Sequence, residues 1–149
     1  MKQKIVIIDN FLDTPLEYKN SKNPQPTQEI SNKIAHILQS NIILHTTPTP
    51  ADYIAVLYLD FPTECVNKTG VSFWLHKETL DEEYPNETKR KWLGIQSIEE
   101  GYKFDEETYE KYMEYFVKYN RLILFDAALF YTDGDESDCR KFYVKINNQ

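Results

Sequence analysis

The sequence predicts a mainly β chain with flanking helices, an α+β domain rolled into two sheets as a jelly roll. Short runs of β-branched and aromatic residues recur along the chain: KIVII at 4–8, IIL at 42–44, DYIAVLYL at 52–59, GVSFWLH at 70–76, RLILFD at 121–126, ALFY at 128–131 and RKFYVKI at 140–146. Only two stretches, near 28–39 and 105–119, carry apolar residues at helical spacing. Many short strands and few helices suit a pair of packed sheets with the helices outside one of them.

Taken in order, residues 4–8 read as a short buried strand closed by Asp9-Asn10. Phe11, Leu12 and Pro15 start a turn or short helix, and the polar stretch 18–26 with its two prolines reads as a loop. Thr27 is placed to cap a helix over 28–39, whose Ile30, Ile34, Ile37 and Leu38 form one apolar face. His36 lies off that face and is expected in solvent. Residues 42–44 end at His45, and Pro48 pushes Thr47 toward an extended backbone. The apolar run 52–59 suits a core strand, and a turn over 61–69 returns the chain to the strand at 70–76. Residues 53–59 and 71–76 are therefore expected to pair antiparallel.

Residues 77–103 are charged and irregular, with Trp92, Leu93 and Ile95 as anchors, and read as an insertion serving as a lid or a partner-binding loop. Asp105 is expected to begin the second helix, stapled by Phe104 and Tyr109 and burying Tyr109, Tyr112, Met113 and Phe116. Strands at 121–126 and 128–131 precede an acidic turn, TDGDESD at 132–138. The last strand alternates, placing Phe142, Val144 and Ile146 on one face.

Size and composition narrow the function. A chain of 149 residues forms one domain, 1–149, with a single sizeable core. No apolar run approaches the roughly twenty residues of a helical span, so no membrane partner is expected. The four apolar residues after Lys4 are too few for a signal peptide, so a cytoplasmic strand is the expectation. Two cysteines, Cys65 and Cys139, are too few for a disulfide framework or a cysteine-built zinc site. A net charge of −7 without a basic stripe disfavours nucleic acid. No glycine-rich phosphate loop is present, no serine sits in a nucleophile elbow, and neither cysteine has a histidine nearby in sequence.

Four segments resemble, in order, the Fe(II)/2-oxoglutarate oxygenases of the prolyl-4-hydroxylase-like, bacterial and phage type. They are IVIIDNFLD at 5–13, YIAVLYLD at 53–60, GVSFWLHKET at 70–79 and NRLILFDAALFYT at 120–132. The resemblance implies a double-stranded β-helix, the cupin-like form of the jelly roll. It also implies an iron site of two histidines and one carboxylate, which leaves positions for 2-oxoglutarate and dioxygen. On that pattern His45 takes the first histidine's place, Thr47 the carboxylate's and Tyr131 the second histidine's. A hydroxyl brings no negative charge, and a phenol's ordinary pKa of about 10 disfavours phenolate binding to Fe(II) at neutral pH. The triad reads as degenerate.

The resemblance further implies 2-oxoglutarate binding by Tyr58 and by Arg140, a guanidinium suited to a bidentate carboxylate. Read from the residues alone, Tyr58 is equally a core aromatic, and Arg140 a strand-end partner of Asp135, Glu136 or Asp138. His76 and Glu78 form a second histidine–carboxylate pair, expected as supporting residues because a lone pair lacks further ligands. The expectation is a binding or assembly module, cytoplasmic or virion-associated, with a protein or small-molecule partner and no firm cofactor. The alternative is an active 2-oxoglutarate-dependent hydroxylase with altered ligands to Fe(II). A ligand-binding jelly roll whose aromatic cavity holds an organic molecule without metal is a third class.

Overall fold

The computed structural model describes residues 4–78, 80, 82, 83 and 106–147. In chain order its elements are β1 (Ile5–Ile8), α1 (Pro15–Ser21), α2 (Gln28–Leu38), β2 (Ile42–His45), β3 (Tyr53–Tyr58), β4 (Thr69–His76), β5 (Tyr109–Phe116), β6 (Arg121–Asp126), β7 (Phe130–Thr132) and β8 (Cys139–Ile146). The described residues are mainly β, an α+β arrangement of two antiparallel sheets and two helices. One sheet runs β1-β6-β3-β8-β2 and the other β5-β4-β7.

Strand alternation gives the larger sheet two buried faces. Ala55, Leu57, Leu122, Leu124, Phe142 and Val144 point one way, onto Tyr18 of α1 and Ile30, Ile34 and Leu38 of α2. Ile54, Val56, Tyr58, Ile123, Phe125 and Tyr143 point the other way, onto Val71 and Phe73 of β4. Burial on both faces explains why 53–59 is continuously apolar rather than alternating.

The helices are set by local signals. The Thr27 hydroxyl accepts from the Ile30 amide at 3.3 Å, and the chain leaves α2 through Gln39 in the left-handed region. Ile30, Ile34 and Leu38, four apart, form its buried stripe, while His36 is exposed as expected. Pro15 starts α1, which extends to Ser21 and so replaces the first part of the loop expected over 18–26. Tyr18 accounts for the difference: its buried ring anchors the helix to the sheet, and its hydroxyl donates to the Gln25 carbonyl at 2.8 Å.

Two expectations are overturned. The strands at 53–58 and 69–76 do not pair: β6 and β8 occupy both edges of β3, and the chain crosses to the other sheet, where β4 lies between β5 and β7. Where a helix is expected over 105–119, the described residues form the strand Tyr109–Phe116 instead. Trp74 pairs with Lys111 and Phe73 with Met113, leaving Tyr112 as an extra residue in a bulge. The bulge gives β5 a period near three, with Tyr109, Tyr112 and Tyr115 half-buried, so the strand reads like a helix. Met113 and Phe116, expected in the core, are 42% and 59% exposed. Phe104 and Asp105 lie outside the described residues, as does most of the insertion at 77–103, including Trp92, Leu93 and Ile95.

Asn120 ties the first turn to the central strands. Its backbone has φ +61°, a left-handed conformation that asparagine tolerates better than most residues. The side chain accepts from the Leu12 amide and donates to the Leu12 carbonyl, both at 2.9 Å. Its own amide donates to the Tyr58 carbonyl at 2.8 Å, and its carbonyl accepts from the Phe11 amide at 3.0 Å. Asn120→Ala should lower stability in denaturant unfolding by about 2–4 kcal/mol, since two buried backbone groups lose partners and the left-handed backbone becomes strained. Asn120→Gly, which relieves only the strain, should cost less.

Candidate functional site

The alternation of β8 decides what faces the space between the sheets. Phe142, Val144 and Ile146 pack on the helical side, so Arg140 shares that side. Cys139, Lys141 and Tyr143 face the smaller sheet. From β7, Tyr131 pairs with Phe73 and points inward, its ring 4.9 Å from that of Phe125. Thr132 points outward and accepts from the Trp74 indole at 3.1 Å.

These elements form a corner where β7 faces β8. The Lys141 ammonium lies 5.0 Å from the Tyr131 ring centre, 6.0 Å from that of Tyr143 and 2.8 Å from a carboxylate oxygen of Asp133. Burial pushes the Tyr143 phenol up to about 12, against the opposing charge of Lys141. Burial likewise raises the Cys139 thiol. The corner thus sets a phenol and a thiol that burial keeps neutral, Tyr143 and Cys139, beside one ammonium–carboxylate pair.

Tyr58 closes the neighbouring end of the sandwich. It is almost fully buried, burial raises its pKa, and its hydroxyl accepts from the Val71 amide at 3.1 Å. That contact requires glycine at 70, where a Cβ would sit 2.5 Å from the Tyr58 hydroxyl. Gly134 makes a similar approach from the acidic turn: its φ is +86°, and a Cβ there would meet the Gly70 carbonyl at 2.2 Å. Asp135 holds the turn down by accepting from the Thr69 amide at 2.8 Å and hydroxyl at 3.1 Å.

The candidate residues divide among several places. His45 ends edge strand β2, exposed and opposite Tyr143, the residue that also senses Tyr131. Thr47 is exposed in the turn beyond it. Tyr131 is packed between the sheets. Tyr58 faces the same interior, whereas Arg140 lies across the larger sheet from it. The Arg140 guanidinium stands 5.7 Å from the Tyr18 ring and donates to Asp138 at 2.7 Å. Of its two readings from the sequence, ion pairing within the acidic turn is the one the geometry displays. The His76 ring stands edge-on to Tyr109, and its Nδ1 accepts from the Glu78 backbone amide at 3.2 Å, with the Glu78 side chain exposed. Lys141 and Tyr143 stand outside the expected set, although the alternation through Phe142, Val144 and Ile146 already places them on the opposite face.

The donor set does not fit an iron centre. Among the described residues no three His, Cys, Asp or Glu side chains converge as metal ligands. His45 is the one imidazole of the expected triad, Thr47 brings no charge, and Tyr131 is packed on Phe125. No helix among the described residues is long and apolar enough to cross a membrane. Comparison with family profiles, curated proteins and solved structures finds no match to this chain.

Two predictions follow from this packing. Gly70→Ala should destabilise the protein by about 1–3 kcal/mol through overpacking, and Tyr58→Phe, which removes the clashing oxygen, should recover part of that loss in a double-mutant cycle. Tyr143 and Tyr112, both pushed up to about 12 by burial, favour the neutral phenol in the folded state. Their stabilisation is present below the ordinary tyrosine pKa of about 10 and is lost as pH rises from there through the folded values. An absorbance titration at alkaline pH should show a late-ionising group of tyrosines, with unfolding free energy falling across that window.

Proposed function

We propose that this chain is a non-catalytic binding or assembly module built on the jelly-roll oxygenase fold. The strand order supports the fold. Rolling one long antiparallel hairpin into eight strands pairs first with eighth, third with sixth and fourth with fifth, and sets third beside eighth and fourth beside seventh. Counting β2 as first and β3 as third, the pairs β2–β8, β3–β6, β4–β5, β3–β8 and β4–β7 all correspond. The proline-containing segment 46–52 then stands in the second strand's place, and β1 is an addition at the edge.

One observation carries the non-catalytic reading: the Lys141 ammonium stands over Tyr131, the position assigned to the second histidine, and pairs with Asp133. A fixed cation and a packed phenol there disfavour a second cation. Separation of Tyr58 from Arg140 across the larger sheet likewise weakens a shared 2-oxoglutarate site. The function left to such a fold is recognition, by its surface or by the charged insertion at 77–103, of a protein or small molecule.

Anaerobic titration with Fe(II) and 2-oxoglutarate tests the proposal. No charge-transfer absorption and no rise in Tm are expected. A saturable visible band, or 2-oxoglutarate turnover to succinate in air, would overturn it in favour of a hydroxylase with altered ligands.

A further inference from the structure

We infer that Tyr131, Tyr143 and Asp133 form an ammonium-binding cage between the two sheets, and that this chain's own Lys141 is its occupant. Three features of the geometry argue for a site rather than an incidental ion pair. Two aromatic rings from different sheets present themselves to one ammonium, at 5.0 and 6.0 Å, within the range of cation–π attraction. A carboxylate completes the enclosure at 2.8 Å. The Lys141 side chain is only 20% exposed while Asp133 is 67% exposed, so the cation is the inserted member and the carboxylate is the lip. A surface pair would leave both ends in water.

The rings are themselves fixed. Tyr143 is buried in the inter-sheet core and held in register between His45 on β2 and Ile54 on β3. Tyr131 is held by its contact with Phe125 and its pairing with Phe73. A cage preorganised this way loses little freedom when filled, which is what recognition of an alkylammonium requires. The ligand class of the corner is thus a primary or methylated ammonium, supplied here intramolecularly, and any other occupant must first displace the lysine. The inference rests on these four side chains and not on the oxygenase reading, so it holds or fails in metal-free protein.

Wild-type protein gives the first test. In a carbon–proton NMR spectrum, the ε-methylene signal of Lys141, assigned by its loss in Lys141→Arg, should lie upfield of the other lysines because the nearer ring, that of Tyr131, shields it. A signal within the envelope of the exposed lysines would overturn the proposal. The second test is chemical rescue. Lys141→Ala should have a lowered Tm that propylammonium chloride restores in part, and sodium chloride at equal ionic strength and propanol should not. Rescue should disappear in Lys141→Ala combined with Asp133→Asn, and Lys141→Met should not respond. Equal responses to propylammonium and sodium would refute the cage.

Discussion

The central strands of the larger sheet commit their side chains to one of two interiors, and that commitment governs the rest of the molecule. Because α1 and α2 cover one face and the smaller sheet covers the other, each central strand feeds two cores by alternation. A shift of one residue would therefore move side chains from one core to the other rather than from core to solvent. The register is pinned where substitution is least tolerated. Asp52 accepts from the Ile146 amide at 2.8 Å and fixes β8 at its far end, and Asp60, itself buried, accepts from the Asp138 amide at 2.9 Å at its near end.

The two sheets need a separate lock, since no strand pairing joins them among the described residues. Tyr58 supplies it, reaching from β3 across the interior to the Val71 amide over the bare backbone of Gly70. The same strand end receives the Asn120 amide on its Tyr58 carbonyl. The turn preceding β6, the entry to β4 and the segment carrying Phe11 and Leu12 thus meet around one residue. A tyrosine used this way is structural, and its buried, backbone-bonded hydroxyl is poorly placed to serve a ligand.

The sequence revealed the strands well and their neighbours poorly. Runs such as YIAVLYL and RLILFD announce themselves because both faces are buried, but an all-apolar strand carries no sign of which strands flank it, so nothing in YIAVLYL marks β6 and β8 as its neighbours. The stretch YEKYMEYF failed for a different reason. A bulge at Tyr112 spaces its inward tyrosines three apart, and period three resembles a helix more than a strand. At the site, the resemblance points to Arg140 by its place on the last strand, while parity argues against it. Phe142 lies two residues on and faces the helices, so Arg140 does too, and Lys141 is the basic residue that looks inward. That much was legible. The contribution of Asp133 was not, because a carboxylate in an acidic turn cannot be told from its neighbours until the turn is folded.

Charge explains why the residues at this corner belong together. Burial favours the neutral Tyr143 phenol and the neutral Cys139 thiol, so neither competes with Asp133 for the Lys141 ammonium. A divalent cation entering here would meet a like charge and a single, largely exposed carboxylate. A dianion would have to displace Asp133 from the Lys141 ammonium while lying against the Tyr131 ring. An alkylammonium meets neither obstacle: the Tyr131 ring and the Tyr143 phenol attract it, and the carboxylate at the lip balances its charge. Lysine at 141 satisfies those preferences from within the chain, and the pairing of a tyrosine at 131 with a lysine one strand away is the form a corner of this chemistry takes when it holds its own cation.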